Sequence, residues 1–279
     1  GSTTSYPGRF RVVRSPQTAK NTLQYWNHGI TPGTGTLTGT ATSNGAFSLY
    51  NYGPLNYYQR PQERWQADAF LKYDVNDEAQ VYGQFMFMDN NTKAQIAPAG
   101  AFGVPTTINC NDNPYLQQNG WRDVVCFDAN GTYTPTRGML FNRRNVEGGP
   151  RYDDISLTSY QGVIGVKGEW FEHWHYDLSA QYGKVVYSEA YYNDTSISRI
   201  QKSLDVVGTS PADAQCRSFV DGSDPNCVPW NIWTINPGTG VLGAAAGAAY
   251  ISVPGFSRGN TNQTVVAFAT SANLGNYGM

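Results

Sequence analysis

A chain of 279 residues can hold one large domain or two small ones, and only 14% of its residues are charged, against roughly 25% in ordinary soluble domains. The formal net charge of −2 leaves no basic surplus for nucleic acid, and no run of about 18 apolar residues is present to form a transmembrane helix. A membrane β-barrel is not excluded, because its sequence signal is far weaker.

Nineteen tyrosines, seven tryptophans and thirty glycines, with Asn, Thr and Ser throughout, favour an all-β chain with long wet loops. Aromatic and β-branched side chains suit a pleated surface. No secretory leader precedes the Ser/Thr/Gly-rich opening, so the start is expected either to have been removed or to lie inside a longer protein.

In chain order, residues 1–57 read as a loop or strand extension, with His28 in a Gly/Thr-rich stretch. Residues 58–97 read as a long hairpin. Its first arm, from Arg64 to Val75, places Trp65, Ala67, Ala69, Leu71, Tyr73 and Val75 on one face. Arg64, Gln66, Asp68, Phe70, Lys72 and Asp74 take the other, because successive side chains of a strand point to opposite sides. After a turn at Asn76-Asp77-Glu78, the return arm sets Val81, Gly83, Phe85 and Phe87 against Gln80, Tyr82, Gln84 and Met86.

Residues 98–139 read as a long polar loop and 140–192 as a second hairpin. There Tyr160, Gly162, Ile164, Val166 and Trp170 oppose Gln161, Lys167 and Glu169. Past a turn near Glu172-His173, Tyr176, Leu178, Ala180, Tyr182 and Val186 oppose Asp177, Ser179, Gln181 and Glu189. Residues 193–261 form another long loop, and 262–279 a last strand that gathers Val266, Phe268, Ala272 and Leu274 and opens a further hairpin.

Arms of a dozen residues or more exceed the usual strand of about 5–6 and match the roughly 9–11 that a tilted strand needs to cross a bilayer. Tight turns at 76–79 and 171–174 alternate with long connections at about 97–140 and 193–262. That asymmetry is the pattern of outer-membrane barrels, although a soluble sandwich could alternate its faces in the same way. Trp170, Phe171, Trp174 and Tyr176 cluster at the second turn, where amphipathic rings would meet the headgroup layer.

The four cysteines form two local pairs, Cys110 with Cys126 and Cys216 with Cys227, in segments rich in Asn, Asp, Gly and Pro. Without C-x-x-C spacing or neighbouring histidines they read as two loop disulfides of an oxidising compartment. The G-x-G-x-x-G at 238–243 has Asn236-Pro237 before it and no acidic residue after it, so it reads as a Gly/Ala loop leading into a short helix at roughly 241–250. His173-Trp174-His175 lacks a third metal ligand nearby, and 221–224 lacks the acids of a calcium loop. No nucleophilic triad can be assembled, so neither catalysis, a metal nor a cofactor is expected. The cluster Arg143, Arg144, Glu147 and Arg151 has two readings. Its arginines fork onto a ligand's carboxylate, phosphate or hydroxyls, or they pair with Glu147, Asp153 and neighbouring strands inside the wall; the second is preferred.

Four segments carry a family resemblance: 56–64 (Asn-Tyr-Tyr-Gln-Arg-Pro-Gln-Glu-Arg), 81–88 (Val-Tyr-Gly-Gln-Phe-Met-Phe-Met), 142–151 (Asn-Arg-Arg-Asn-Val-Glu-Gly-Gly-Pro-Arg) and 224–231 (Asp-Pro-Asn-Cys-Val-Pro-Trp-Asn). With the hairpins between them the sequence resembles TonB-dependent outer-membrane receptors, in particular the large proteobacterial subfamily with long extracellular loops. The resemblance implies a 22-stranded barrel plugged by an N-terminal domain in the outer membrane of a Gram-negative bacterium. Such a barrel binds a scarce nutrient (a siderophore, cobalamin, an oligosaccharide or similar) and imports it with energy from the inner-membrane TonB complex. Its partners would be the rest of the barrel, the plug, TonB, lipid and the small-molecule nutrient. This chain shows no TonB box, no plug and no closing aromatic-tailed strand, and about five membrane strands, so it is expected to be part of such a receptor. A passive porin and a secreted adhesin- or lectin-like module are the competing classes.

Overall fold

The computed structural model describes residues 1, 2, 4, 6, 8–13, 25–30, 37–38, 49–117, 121–127, 131–171, 173–233, 245–273 and 275. Its strands are β1 (Arg9–Val13), β2 (Tyr25–Ile30), β3 (Leu37–Thr38), β4 (Gln62–Asn76), β5 (Ala79–Ile96), β6 (Gly100–Asn109), β7 (Thr136–Arg144), β8 (Arg151–Trp170), β9 (Trp174–Thr195), β10 (Val206–Val207), β11 (Gln215–Cys216) and β12 (Ser252–Ala272). Short helices are α1 (Trp121–Val125), α2 (Ile197–Leu204), α3 (Arg217–Val220) and α4 (Ala245–Ile251). The chain is mostly antiparallel β-sheet, and no helix among the described residues is long and apolar enough to cross a membrane. It divides into two units: Gly1–Tyr58, Gln95–Tyr152 and Tyr192–Gly255 in the first, Gln59–Ala94, Asp153–Tyr191 and Phe256–Met279 in the second.

The second unit is one sheet in the order β12-β9-β8-β5-β4. β4 and β5 pair antiparallel from Gln62↔Thr92 to Asn76↔Ala79, leaving a loop of only Asp77 and Glu78. The Asn76 side chain accepts the Glu78 N–H at 3.0 Å, a local substitute for a backbone turn bond. At the other tight turn Phe171 and His173 take positive φ of 43° and 90°, and the Glu169 carboxylate accepts the His173 N–H at 2.7 Å. Among the described residues nothing pairs with the outer edges of β4 and β12, so the sheet is open and closure into a barrel is not seen. The last strand begins at Ser252, well before residue 262; Leu274 and the end of the expected strand lie outside the described residues.

The first unit corrects the sequence reading most. Residues 98–139 and 193–261, expected as loops, supply strands, helices and a packed core. A second antiparallel sheet runs β3-β2-β1-β7-β6, so residues 140–144 belong to this sheet and not to the hairpin that starts at Arg151. His28 sits in β2, opposite Phe10, instead of in a loop. In β6 the register shifts between Phe102 and Val104. Gly103, at φ +67°, takes the extra residue, so that Ala101 and Val104 both turn to the core. Behind the sheet Phe10, Trp121 and Trp233 meet with centroids 5.1–5.5 Å apart, and the Trp121 indole donates to the Trp233 carbonyl at 3.0 Å. Ile200 and Leu204 of α2 close over Val104, Ile108 and Phe141, all buried. Both expected disulfides, Cys110–Cys126 and Cys216–Cys227, are formed. The short helix expected near 241–250 is present as α4, while the Gly-rich 238–243 lies outside the described residues.

Candidate functional site

The register of β4 and β5 sorts side chains into two unlike faces. Residues paired directly share a face, so Ala67, Ala69, Leu71 and Tyr73 lie with Phe87, Phe85, Gly83 and Val81. Gln66, Asp68, Phe70 and Lys72 lie with Met88, Met86, Gln84 and Tyr82. The division continues across the sheet. Val81, Ile164, Val166, Leu178, Ala180 and Val266 line one groove, of about 390 Å³, on the apolar side. Arg64, Gln66, Asp68, Gln161, Gln181 and Gln263 line another, of about 350 Å³, on the polar side.

The apolar face is open. Leu71, Phe85, Ile164 and Leu178 are 66%, 50%, 64% and 44% exposed, and Val266 and Phe268 more than half exposed. Leaving such a side chain in water forgoes about 1.5–3 kcal/mol each, so six of them forgo of order 10 kcal/mol. That is comparable with the whole net stability of an ordinary domain, about 5–15 kcal/mol. Soluble monomers rarely show a contiguous patch of this kind. The band from Trp65 to Val75 runs about 33 Å along the strand at about 3.3 Å per residue. At a tilt of about 40° it covers about 25 Å, the height of the apolar belt of outer-membrane barrels.

Both ends of the band change character. At Trp65, which donates to Glu63 at 3.2 Å, the same face turns polar: Asp89, paired opposite it, accepts from Thr158 at 2.7 Å. At the tight turn Trp170 and Tyr176 stack 4.5 Å apart, Phe171 is almost fully exposed and Trp174 partly so. Rings with a polar tip are favoured where hydrocarbon gives way to water.

One contact on the polar face escaped the sequence reading. The Tyr82 hydroxyl reaches from β5 to donate to Asp177 on β9 at 2.7 Å, and Lys167 on β8 lies 5.9 Å from its ring. The space comes from Gly165, where a Cβ would stand 2.3 Å from Tyr82 Cζ. A glycine among the alternating residues of a long strand was the available signal, because a strand glycine marks a close approach.

The arginine cluster is brought together, but inside the first unit. Arg143 of β7 is fully buried, ion-pairs with Glu147 and lies over the Trp230 and Tyr6 rings at 4.7 and 5.4 Å. Arg144 donates to the Pro98 carbonyl at 2.9 Å and sits against Phe102 and Tyr50. Burial, and then the charge of Arg151, push its pKa below the ordinary guanidinium value. Arg151 donates to the Ala97 carbonyl at 3.1 Å. Arg143 and Glu147, at 0% and 2% side-chain exposure, turn no open surface to a ligand. The sequence reading placed the cluster within the hairpin of residues 140–192 and preferred pairing of its arginines with Glu147; the Arg143–Glu147 ion pair is formed, but pairing of β7 with β1 and β6 puts it in the first unit.

A second polar cluster joins the disulfide loop to the helices. Asp224 accepts from Lys202 of α2 at 2.9 Å and from Tyr250 of α4 at 2.7 Å, which hold its carboxyl below the usual range. Burial first, then Asp224, push the Tyr250 hydroxyl up to about 12. Among the described residues no three His, Cys, Asp or Glu side chains are placed to hold a metal ion. Comparison of the chain with protein-family models, with curated proteins and with solved structures finds no match.

Proposed function

We propose that the chain is a wall segment of a transmembrane β-barrel of the TonB-dependent receptor kind, taking up a nutrient across a bacterial outer membrane. One observation carries this reading: strands of 15 to 22 residues with an exposed apolar face on one side of the sheet and an amide-rich polar face on the other. Lipid is the solvent that matches the first face, and a watery lumen matches the second. A soluble adhesin or lectin would need to bury Leu71, Phe85, Ile164 and Leu178 to be stable. The unpaired edges of β4 and β12 point to further strands of the same receptor, because in lipid each unpaired N–H or C=O costs several kcal/mol. The plug and the TonB complex complete the reading by the family resemblance, which also separates it from a passive porin. The test is fractionation of the full receptor from its native membrane. Retention in the outer membrane after alkaline carbonate washing, with heat-modifiable gel migration, is the expected result; release into the wash overturns it.

A further inference from the structure

Resting on the wall reading, we infer that the polar face is built for a neutral, polyhydroxylated solute such as an oligosaccharide, and not for an anionic metal chelate. The face is dominated by amides. Gln66 and Gln84 stand on it by register, and Gln161, Gln181 and Gln263 line its groove. An amide offers a donor and an acceptor at once and answers a hydroxyl in either sense, whereas an anion needs donors and a positive field.

The charges on this face give no positive field. By register, alternation and contact it carries Arg64, Lys72 and Lys167 against Asp68, Asp74, Asp177, Glu169 and Glu189. The Arg64 guanidinium is already engaged, donating to Gln66 at 3.0 Å, while Gln66 donates to Asp68 at 3.2 Å. Lys184, which also lines the groove, leaves the groove itself a single charge from neutrality. The arginines that could have forked onto a chelate's carboxylates, Arg143 and Arg144, are buried elsewhere.

An apolar platform completes the chemistry. Phe70 is 71% exposed on the polar face, opposite Gln84, where hydrophobic burial gives no reason for it. A flat ring beside amides is what the apolar side of a sugar ring stacks on.

The test is equilibrium dialysis of the intact receptor in detergent against maltotetraose, xylotetraose, a galactose tetramer and ferric citrate. Binding of at least one neutral tetramer and none of ferric citrate is expected. Gln161→Lys with Gln181→Lys should weaken that binding about tenfold, the worth of one or two hydrogen bonds. Binding of ferric citrate without any tetramer overturns the inference, as does binding of none of the four probes. Selectivity of the unmodified receptor decides the ligand class even if the double variant fails to assemble. Carbonate extraction of the same preparation separates the two claims. A membrane-retained protein with the wrong selectivity loses only the ligand class, whereas a carbonate-released protein loses the wall reading and this inference with it.

Discussion

Leu71 and Phe70 are neighbours on β4 with almost equal exposure, 66% and 71%, yet the register puts them on opposite faces. Replacing each in turn by Arg in the intact receptor therefore applies the same chemistry to two solvents. In water the two changes would be nearly equivalent, each within about 0.5 kcal/mol for an exposed site. In a bilayer they part. Leu71 lies near the middle of the 25 Å band, where Arg in lipid costs about 2–4 kcal/mol, while on the wall reading Phe70 would face the lumen, where substitutions are tolerated. At about 3 kcal/mol the folding equilibrium of Leu71→Arg falls about a hundredfold. Urea-dependent refolding into phosphatidylcholine vesicles, read by heat-modifiable migration, measures the difference. Equal stabilities for the two variants, or a larger loss at Phe70, would refute the assignment of faces.

Gly165→Val should block the Tyr82 ring and lower the refolding midpoint, with Tyr82→Ala restoring part of the loss in the double variant; strict additivity in a double-mutant cycle would show that the 2.3 Å approach is not what matters. Replacing Cys216 and Cys227 by Ser should destabilise the first unit by about 3 kcal/mol, the usual worth of closing a loop of this length, measurable by denaturant-dependent tryptophan fluorescence. Glu147→Gln, which strands the buried Arg143 charge, should cost about 3–5 kcal/mol in the same assay, and Arg143→Ala should act through stability first and uptake only as a consequence. The Asp224 cluster fixes a pH window. Asp224 is depressed, so its contribution is full above the unfolded value near about 4 and lost as pH falls through the lower folded value. Tyr250 is raised to about 12, so its share is full below about 10 and lost as pH climbs towards 12. Asp224→Asn should flatten both limbs of the thermal midpoint against pH, and an unchanged profile counts against the cluster.

The two faces of the long strands were legible because alternation is local: Trp65 to Val75 declares its period within one arm, and the Asp77-Glu78 turn sets the partner's register. The two disulfides were legible for a related reason, since each pair is separated by only 16 or 11 residues. The first unit was not. Its strands β1 and β7 are 5 and 9 residues long and pair across more than a hundred positions, as Phe10 does with Phe141. Its core joins Trp121 to Trp233 across Gly-, Asn- and Pro-rich segments whose composition alone says loop. The arginine cluster was legible in part: the preferred pairing of Arg143 with Glu147 is formed, while its place in the first unit was hidden for the same cause. Arg143 and Glu147 were found as neighbours in sequence, but whether they face water depends on β7 joining β1, a pairing no local pattern announces.

On the proposed wall reading, the contrast between the units follows from which solvent each must satisfy. The first carries what a small domain in water needs: Trp121, Trp230 and Trp233 wholly buried, Arg143 paired before it is enclosed, and both disulfides. Among its described residues the second has no such core. Every residue of β4 is exposed, and its apolar side chains point outward in a band instead of inward in a cluster. A sheet of that kind gains nothing from hydrophobic collapse on itself, because turning Leu71 and Ile164 inward would expose Gln66 and Gln161 to whatever lies outside. As a barrel wall it would draw its stability from ladder hydrogen bonds that lipid makes costly to break and from further strands pairing with β4 and β12. Cutting the Cys216–Cys227 bridge should therefore leave the refolding midpoint of the long hairpins in vesicles unmoved while it lowers that of the tryptophan core; a shared loss would show that the two units draw on one source of stability.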